Sequence, residues 1–272
     1  MRKLLHTLTA QPASDGAGVS IHRLKDTGLM NPFLMLDEIN SDSADDYLAG
    51  FPAHPHRGFE TITYMKVGRM RHKDHMGNEG VIESGGVQWM SAARGVIHSE
   101  MPEQDAGRMH GFQLWLNLPA AEKMMPADYR DIPNEELSRV TVGNSQVQVI
   151  AGTVTVADES STGPLPERST QPVIFDATLA AGEFLDIGFA TDQQALVYIY
   201  DGEVNGHTQR TLAVYSPGEK LTLTGGNTGG GALVLSGLPL AEPVVQYGPF
   251  VMNSETEIRQ AVQDYNLGRL TA

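Results

Sequence analysis

Apolar residues alternate with polar ones in short runs along most of this chain, and glycine breaks the runs at short intervals. In FQLWLNL, Phe112, Leu114 and Leu116 fall on one side and Gln113, Trp115 and Asn117 on the other. GVSIHRL (18–24) and FETITYMKVG (59–68) alternate in the same way. A period of two puts successive side chains on opposite faces of a strand. The turns between are HMGNEG (75–80), ESGG (83–86) and ARG (93–95). The second half repeats the texture in SQVQVIAGTVTV, PVIFDATL, QALVYIYDGEV, TLAVYSPGEKLTL and GALVLSGL. Many short strands with Gly turns point to a sandwich or barrel of the jelly-roll kind, so an all-β fold is expected.

Three segments depart from that pattern. NSETEIRQAVQDYNLG (253–268) opens with the Ser254/Glu257 spacing of a capping box, and Ile258, Ala261, Val262 and Tyr265 then form one apolar stripe. It is predicted to be a helix packed on a β domain, with Asn266 and Gly268 as its stop. ADESSTGPLPERSTQP (157–172) reads as a long polar loop or lid, and 120–140 as a linker. A weak repeat relates TYMKVGRMRH (63–72) to YIYDGEVNGH (198–207), offset by about 135 residues. Two similar barrels in tandem are therefore expected. At that offset His54 and His56 map to Gly188 and Ala190, so a second copy lacks those imidazoles.

Composition removes several classes of function. Acidic residues outnumber basic ones 33 to 19, for a net charge of −14. A polyanionic duplex would be repelled, and Arg69–Lys73 is too short to form a basic patch, so no direct nucleic-acid binding is expected. The chain has no cysteine, which excludes disulfides, thiolate ligands and thiol nucleophiles and fits a reducing compartment. No window approaches the roughly 18 apolar residues that span a bilayer. MRKLLHTLTAQPASDG is a poor secretory signal, and a cytoplasmic location is expected.

The chemistry concentrates in FPAHPHRGFETITYM (51–65) and GGVQWMSAARGVIHSEMPE (85–103). His54 and His56 flank Pro55, which favours extended backbone before it, so both rings should project to one face, with Glu60 in the same parity. A lone His-x-His more often marks an exposed turn. Here His98-Ser99-Glu100 follows about 40 residues later, a second pair two apart, with Gly turns between. Three imidazoles and one carboxylate suit a borderline first-row metal with positions left for substrate or dioxygen, and do not suit Ca²⁺. His110 is expected to pack or line a pocket, and His72 and His75 to lie in a solvated hairpin. His6, His22 and His207 have no partner in sequence. Phe51, Trp89, Met90 and Met101 are core residues by type whose closeness to the histidine motifs also makes them candidates for a pocket wall.

HPHRGFETITYM followed by GVQWMSAARGVIHSEMPE resembles the pirin family of the cupin superfamily. NPFLMLDE, FQLWLNLPAAEKMMPADYRDI and YGPFVMNSETEIRQAVQDYNLGRL extend the resemblance over most of the chain. It implies a bicupin: a metal-binding cupin domain at 1–130 and a second, metal-free cupin domain at 131–272 that ends in the helix. It places the metal ligands on His54, His56, His98 and Glu100, with Glu60, the carboxylate of the general cupin motif, supporting a ligand instead. Ala93-Arg94-Gly95, in place of the general cupin Pro-x-Gly, is also pirin-like. The family metal is usually Fe(II), and the same donors accept Ni, Mn, Cu, Zn or Co. Several pirins cleave quercetin with dioxygen, so the implied activity is a quercetin 2,3-dioxygenase-like oxidoreductase. It would use a flavonol and O2, with Glu100 as catalytic base. The alternative is an iron-containing redox sensor acting through a protein partner. Two tandem barrels can cover each other's edges, so a monomer is expected, with no membrane association.

Overall fold

The computed structural model describes residues 1–272, and strands make up most of it. Two compact units interleave in sequence: Met1–Ala10 with Glu135–Pro239, and Gln11–Asn134 with Leu240–Ala272. The boundary expected near residue 130 lies close to one crossing, and the exchange of the chain ends left no sign in the sequence. Pairing explains the exchange. Leu4–Thr9 runs antiparallel beside Thr211–Tyr215. The helix Glu255–Asn266 sets Ile258 and Ala261 against Phe250, Met252 and Leu270. The helix therefore belongs to the unit that carries His54, His56 and His98, not to the one built from Glu135–Pro239.

The histidine-bearing unit is a jelly-roll sandwich. Its four-stranded sheet runs Phe51–His56, Val96–Pro102, Met70–Asp74 and Glu79–Ile82. Its seven-stranded sheet runs Asp128–Ile132, Val87–Ser91, Phe59–Val67, Met109–Asn117, Phe33–Ser41, Val19–Leu24 and Gln11–Asp15. The expected barrel is open at its edges. Phe51–His56 is an edge strand, and Pro52 and Pro55 on it have no N–H to extend the ladder. The other unit is an eleven-stranded arrangement in which Lys220–Ser236 pairs with Val173–Leu179 and Ala195–Val204 at one end and with Phe184–Gly188 at the other.

The two interiors differ in kind. One large apolar cluster, including Val147, Phe175, Val197 and Val234, fills the unit built from Glu135–Pro239. The histidine-bearing unit has several smaller clusters instead, among them Val19–Ile21–Met65–Met109 and Leu34–Met35–Phe59–Trp115. Polar groups lie between them. Of the thirteen buried Asp, Glu, His, Lys and Arg side chains, eleven belong to this unit. Burying such groups costs free energy unless they are paired or ligated, which marks the interior as the place to look for chemistry.

Two segments differ from expectation. The polar stretch after Val156 is not all loop: Thr153–Val156 turns at Ala157 and Asp158, both at positive φ, and pairs with Glu159–Thr162. Within 120–140, Asp128–Ile132 adds an edge strand beside Val87–Ser91. The helix is capped much as its sequence predicts: Ser254 Oγ accepts from Glu257 N at 3.3 Å, and Glu257 Oε2 accepts from Asn253 N at 3.1 Å. Tyr265, expected in the buried stripe, is 41% exposed.

Candidate metal centre and its cleft

Adjacent antiparallel strands bring three imidazoles together. The ladder pairs His98 with His54 and Val96 with His56. Directly opposed residues share a face, and residues two apart do too, so the three rings gather on one side. One ring nitrogen from each lies within 4.8 Å of the others. His54 Nε2 and His56 Nε2 stand 3.0 Å apart. His54 Nδ1 is 2.8 Å from the Pro52 carbonyl, which makes it the protonated nitrogen and leaves a lone pair on Nε2. His98 Nε2 is buried with no hydrogen-bond partner, while its Nδ1 lies 3.4 Å from His72 Nδ1. Burial, reinforced by His54, holds His56 well below the usual imidazole range. Burial, then His56, His54 and His72, do the same for His98. Two neutral rings, with His98 Nε2 buried and unsatisfied, beside a third within reach of the same point fit a divalent cation, which would recover the cost of the orphaned atom.

Glu100 lies outside this group of nitrogens. A bulge between His98 and Glu100 shifts the register, leaving Glu100 opposite Phe51 on one side and His72 on the other. Its Oε1 accepts from Thr63 Oγ1 at 3.1 Å and its Oε2 from Gln113 Nε2 at 2.7 Å. Trp115 Nε1 donates in turn to Gln113 Oε1 at 3.3 Å. Glu60 is fully buried on Phe59–Val67, opposite Ser91 and Leu116. His110 is packed in the interior with Nε2 3.0 Å from Glu38 Oε1. Met90 is buried among Ala92 and Val96.

His72 corrects the sequence reading most sharply. It is not in a solvated turn but wholly buried on Met70–Asp74, its ring facing His98 at 5.2 Å between centroids. The signal was present: Met70, His72 and Asp74 alternate with Arg71 and Lys73, and the buried positions are the alternate ones. His75, two residues before Gly77, is exposed as expected.

A cleft of about 660 Å³ opens onto His54 and His56. Met35, Phe51 and Trp115 supply apolar wall, Gln113 a polar one, and Gln246 and Pro249 close one side from the C-terminal segment. Trp115 stacks on Phe59 at 4.2 Å and meets His56 edge-on at 5.3 Å. Asp15, Arg23 and Lys25 bring charge to the same cleft. Arg23 is tied to Asp37 at 2.6 Å and also pairs with Asp15.

Residues 17–116 match the Pirin family model, and residues 174–271 match that of the Pirin C-terminal cupin domain. A Pseudomonas aeruginosa protein provisionally named quercetin 2,3-dioxygenase is 48% identical over 99% of this chain and 98% of its own length. A pirin-like protein of Caulobacter vibrioides is 43% identical over 99% of both. The crystal structure of quercetin 2,3-dioxygenase from Acinetobacter baumannii superposes with a TM-score of 0.89 at 32% identity, covering 100% of this chain and 99% of the other. Both units are thus of cupin type.

Proposed function

Because this chain belongs to the pirin family, we propose that it is a metal-dependent dioxygenase that cleaves flavonols such as quercetin with O2 and releases carbon monoxide. The observation that carries the reading is the convergence of His54, His56 and His98, the first two of which line a cleft with aromatic and apolar walls. A volume of about 660 Å³ suits a flat aromatic ligand of flavonol size. The names of the Pseudomonas and Acinetobacter relatives point to the same substrate class.

His54, His56 and His98 would hold the ion, with Glu100 as the fourth ligand, and Fe(II) is the metal we favour among those this donor set accepts. Such an ion lowers the pKa of a bound hydroxyl and orients substrate and dioxygen. The remaining work falls to the chain. Trp115, Phe51 and Met35 would receive the aromatic rings and keep water from the reacting edge. Glu100 would take the proton of the flavonol 3-hydroxyl. Thr63 and Gln113 fix where its two oxygens point, and Gln113 also faces the cleft. The test is anaerobic loading with Fe(II), addition of a flavonol and oxygen, and measurement of carbon monoxide. Stoichiometric release of the gas is expected. Full iron occupancy without turnover of any flavonol would sink the proposal.

A further inference from the structure

A fourth histidine stands behind the triad. On the ladder, His98 opposes Asp74 and Glu100 opposes His72, so these four side chains occupy one face of the four-stranded sheet. His98 Nδ1 and His72 Nδ1 lie 3.4 Å apart, both rings buried. One of the two nitrogens must donate and the other accept. His72 Nε2 has no hydrogen-bond partner, and the nearest charged atom is Asp74 Oδ2 at 3.6 Å, beyond hydrogen-bond length. Asp74 is itself fixed: its Oδ1 accepts from Met76 N at 2.9 Å and Asn78 N at 3.0 Å, and its Oδ2 from Asn78 Nδ2 at 2.8 Å. The Tyr129 ring stacks on His72 at 4.7 Å and 25° and holds the plane of the imidazole.

Only one placement of the protons agrees with all of these contacts. If His72 donated to His98, the His98 proton would sit on Nε2, where a cation needs a lone pair. The bare Nε2 of His72 would then face a carboxylate. If His98 donates instead, its Nε2 is free for the ion, and the N–H of His72 points toward Asp74. We infer that His72 is a positioning residue for the metal centre: it accepts the Nδ1–H of His98, fixing that ring's tautomer and orientation from behind. The inference rests on the metal reading above. A carboxylate or carbonyl usually fills this place behind a metal-bound histidine, and its loss costs about 10–100-fold in metal affinity.

Co(II) is the probe, added to the full-length chain, with its affinity measured by chelator competition and its donor geometry by the visible absorption of the bound ion. His72→Phe keeps a ring for Tyr129 to stack on and removes the acceptor. It should weaken Co(II) binding about 10–100-fold and shift the Co(II) spectrum. His72→Asn places an amide oxygen near the position of Nδ1 and should restore affinity to within about threefold of the parent protein. His72→Gln, whose amide reaches toward Nε2 instead, should behave like the phenylalanine variant and replaces it if that chain does not fold. Parental affinity in the Phe or Gln variant, or no gain in the Asn variant over them, overturns the inference. A parent chain that fails to bind Co(II) is a different result: it removes the metal reading, and this inference falls with it.

Discussion

His98 meets His72 at Nδ1 and has no hydrogen-bond partner at Nε2, so its removal should be felt at the ion before anything else. His98→Ala is expected to lower metal content at least about tenfold and abolish turnover, read by metal analysis of protein purified without chelator. Glu60→Ala should keep most of its metal and Glu100→Ala should not; equal losses would reverse the choice of carboxylate. The grouping of His54 with His56 was legible in the sequence because parity is local: two residues apart on a strand is one face, whereas Glu60, expected in the same parity, lies on a strand of the other sheet. His72 was missed because its neighbours Arg71, Lys73 and Asp74 and the following glycines look solvated, although its alternation matched the buried pattern. Lys123 was not singled out at all. Its Nζ donates to Gly58 O and Asn117 Oδ1 at 2.6 Å and Val251 O at 3.1 Å, and burial lowers its pKa to about 8 against the pull of Glu242 and Glu257. The folded value lies below the unfolded one, so the folded chain holds fewer protons between about pH 8 and 10.5, and stability should rise with pH across that window. Denaturant unfolding at pH 8 and 10 should show this rise in the parent and not in Lys123→Met.

At the scale of elements, the strand that carries His54 and His56 is held by the end of the chain. Arg57 follows His56 directly, and its guanidinium meets Asp264 Oδ2 of the helix at 2.8 Å, Leu270 O at 3.1 Å and the Arg94 carbonyl. Gly58, at φ +92, passes so close to the Val251 carbonyl that a Cβ would collide with it. Gly58→Ala is therefore expected to cost at least about 2 kcal/mol, and Asp264→Ala about 1–3 kcal/mol, in denaturant unfolding. The helix was readable from its cap and stripe, but its partner was not. Contacts between residues about 200 apart leave no local trace in sequence. The same holds for Asp128–Ile132, which is a strand because Val87–Ser91 offers it an edge. Glu159–Thr162 is hidden differently: it is polar throughout and forms by turning back on Val154 and Val156.

For the whole molecule, the division of labour between the units can be measured. Both tryptophans, Trp89 and Trp115, lie in the histidine-bearing unit, so their fluorescence follows that unit alone, while far-UV circular dichroism follows both. Divalent metal at about a hundred times its dissociation constant should add about 2.7 kcal/mol to the fluorescence-detected transition and leave the unfolding of the other unit where it was. No helix is long and apolar enough to cross a membrane. The interleaved arrangement of the units also bears on how the molecule is made. On a ribosome His54, His56 and His98 emerge before Gln246 and Pro249, which close one side of the cleft at His54 and His56 and follow more than a hundred residues later. At roughly 5–20 residues per second, the nascent chain displays its imidazoles for on the order of ten seconds before that wall exists. Cation capture during translation would meet a site still open to competing ions.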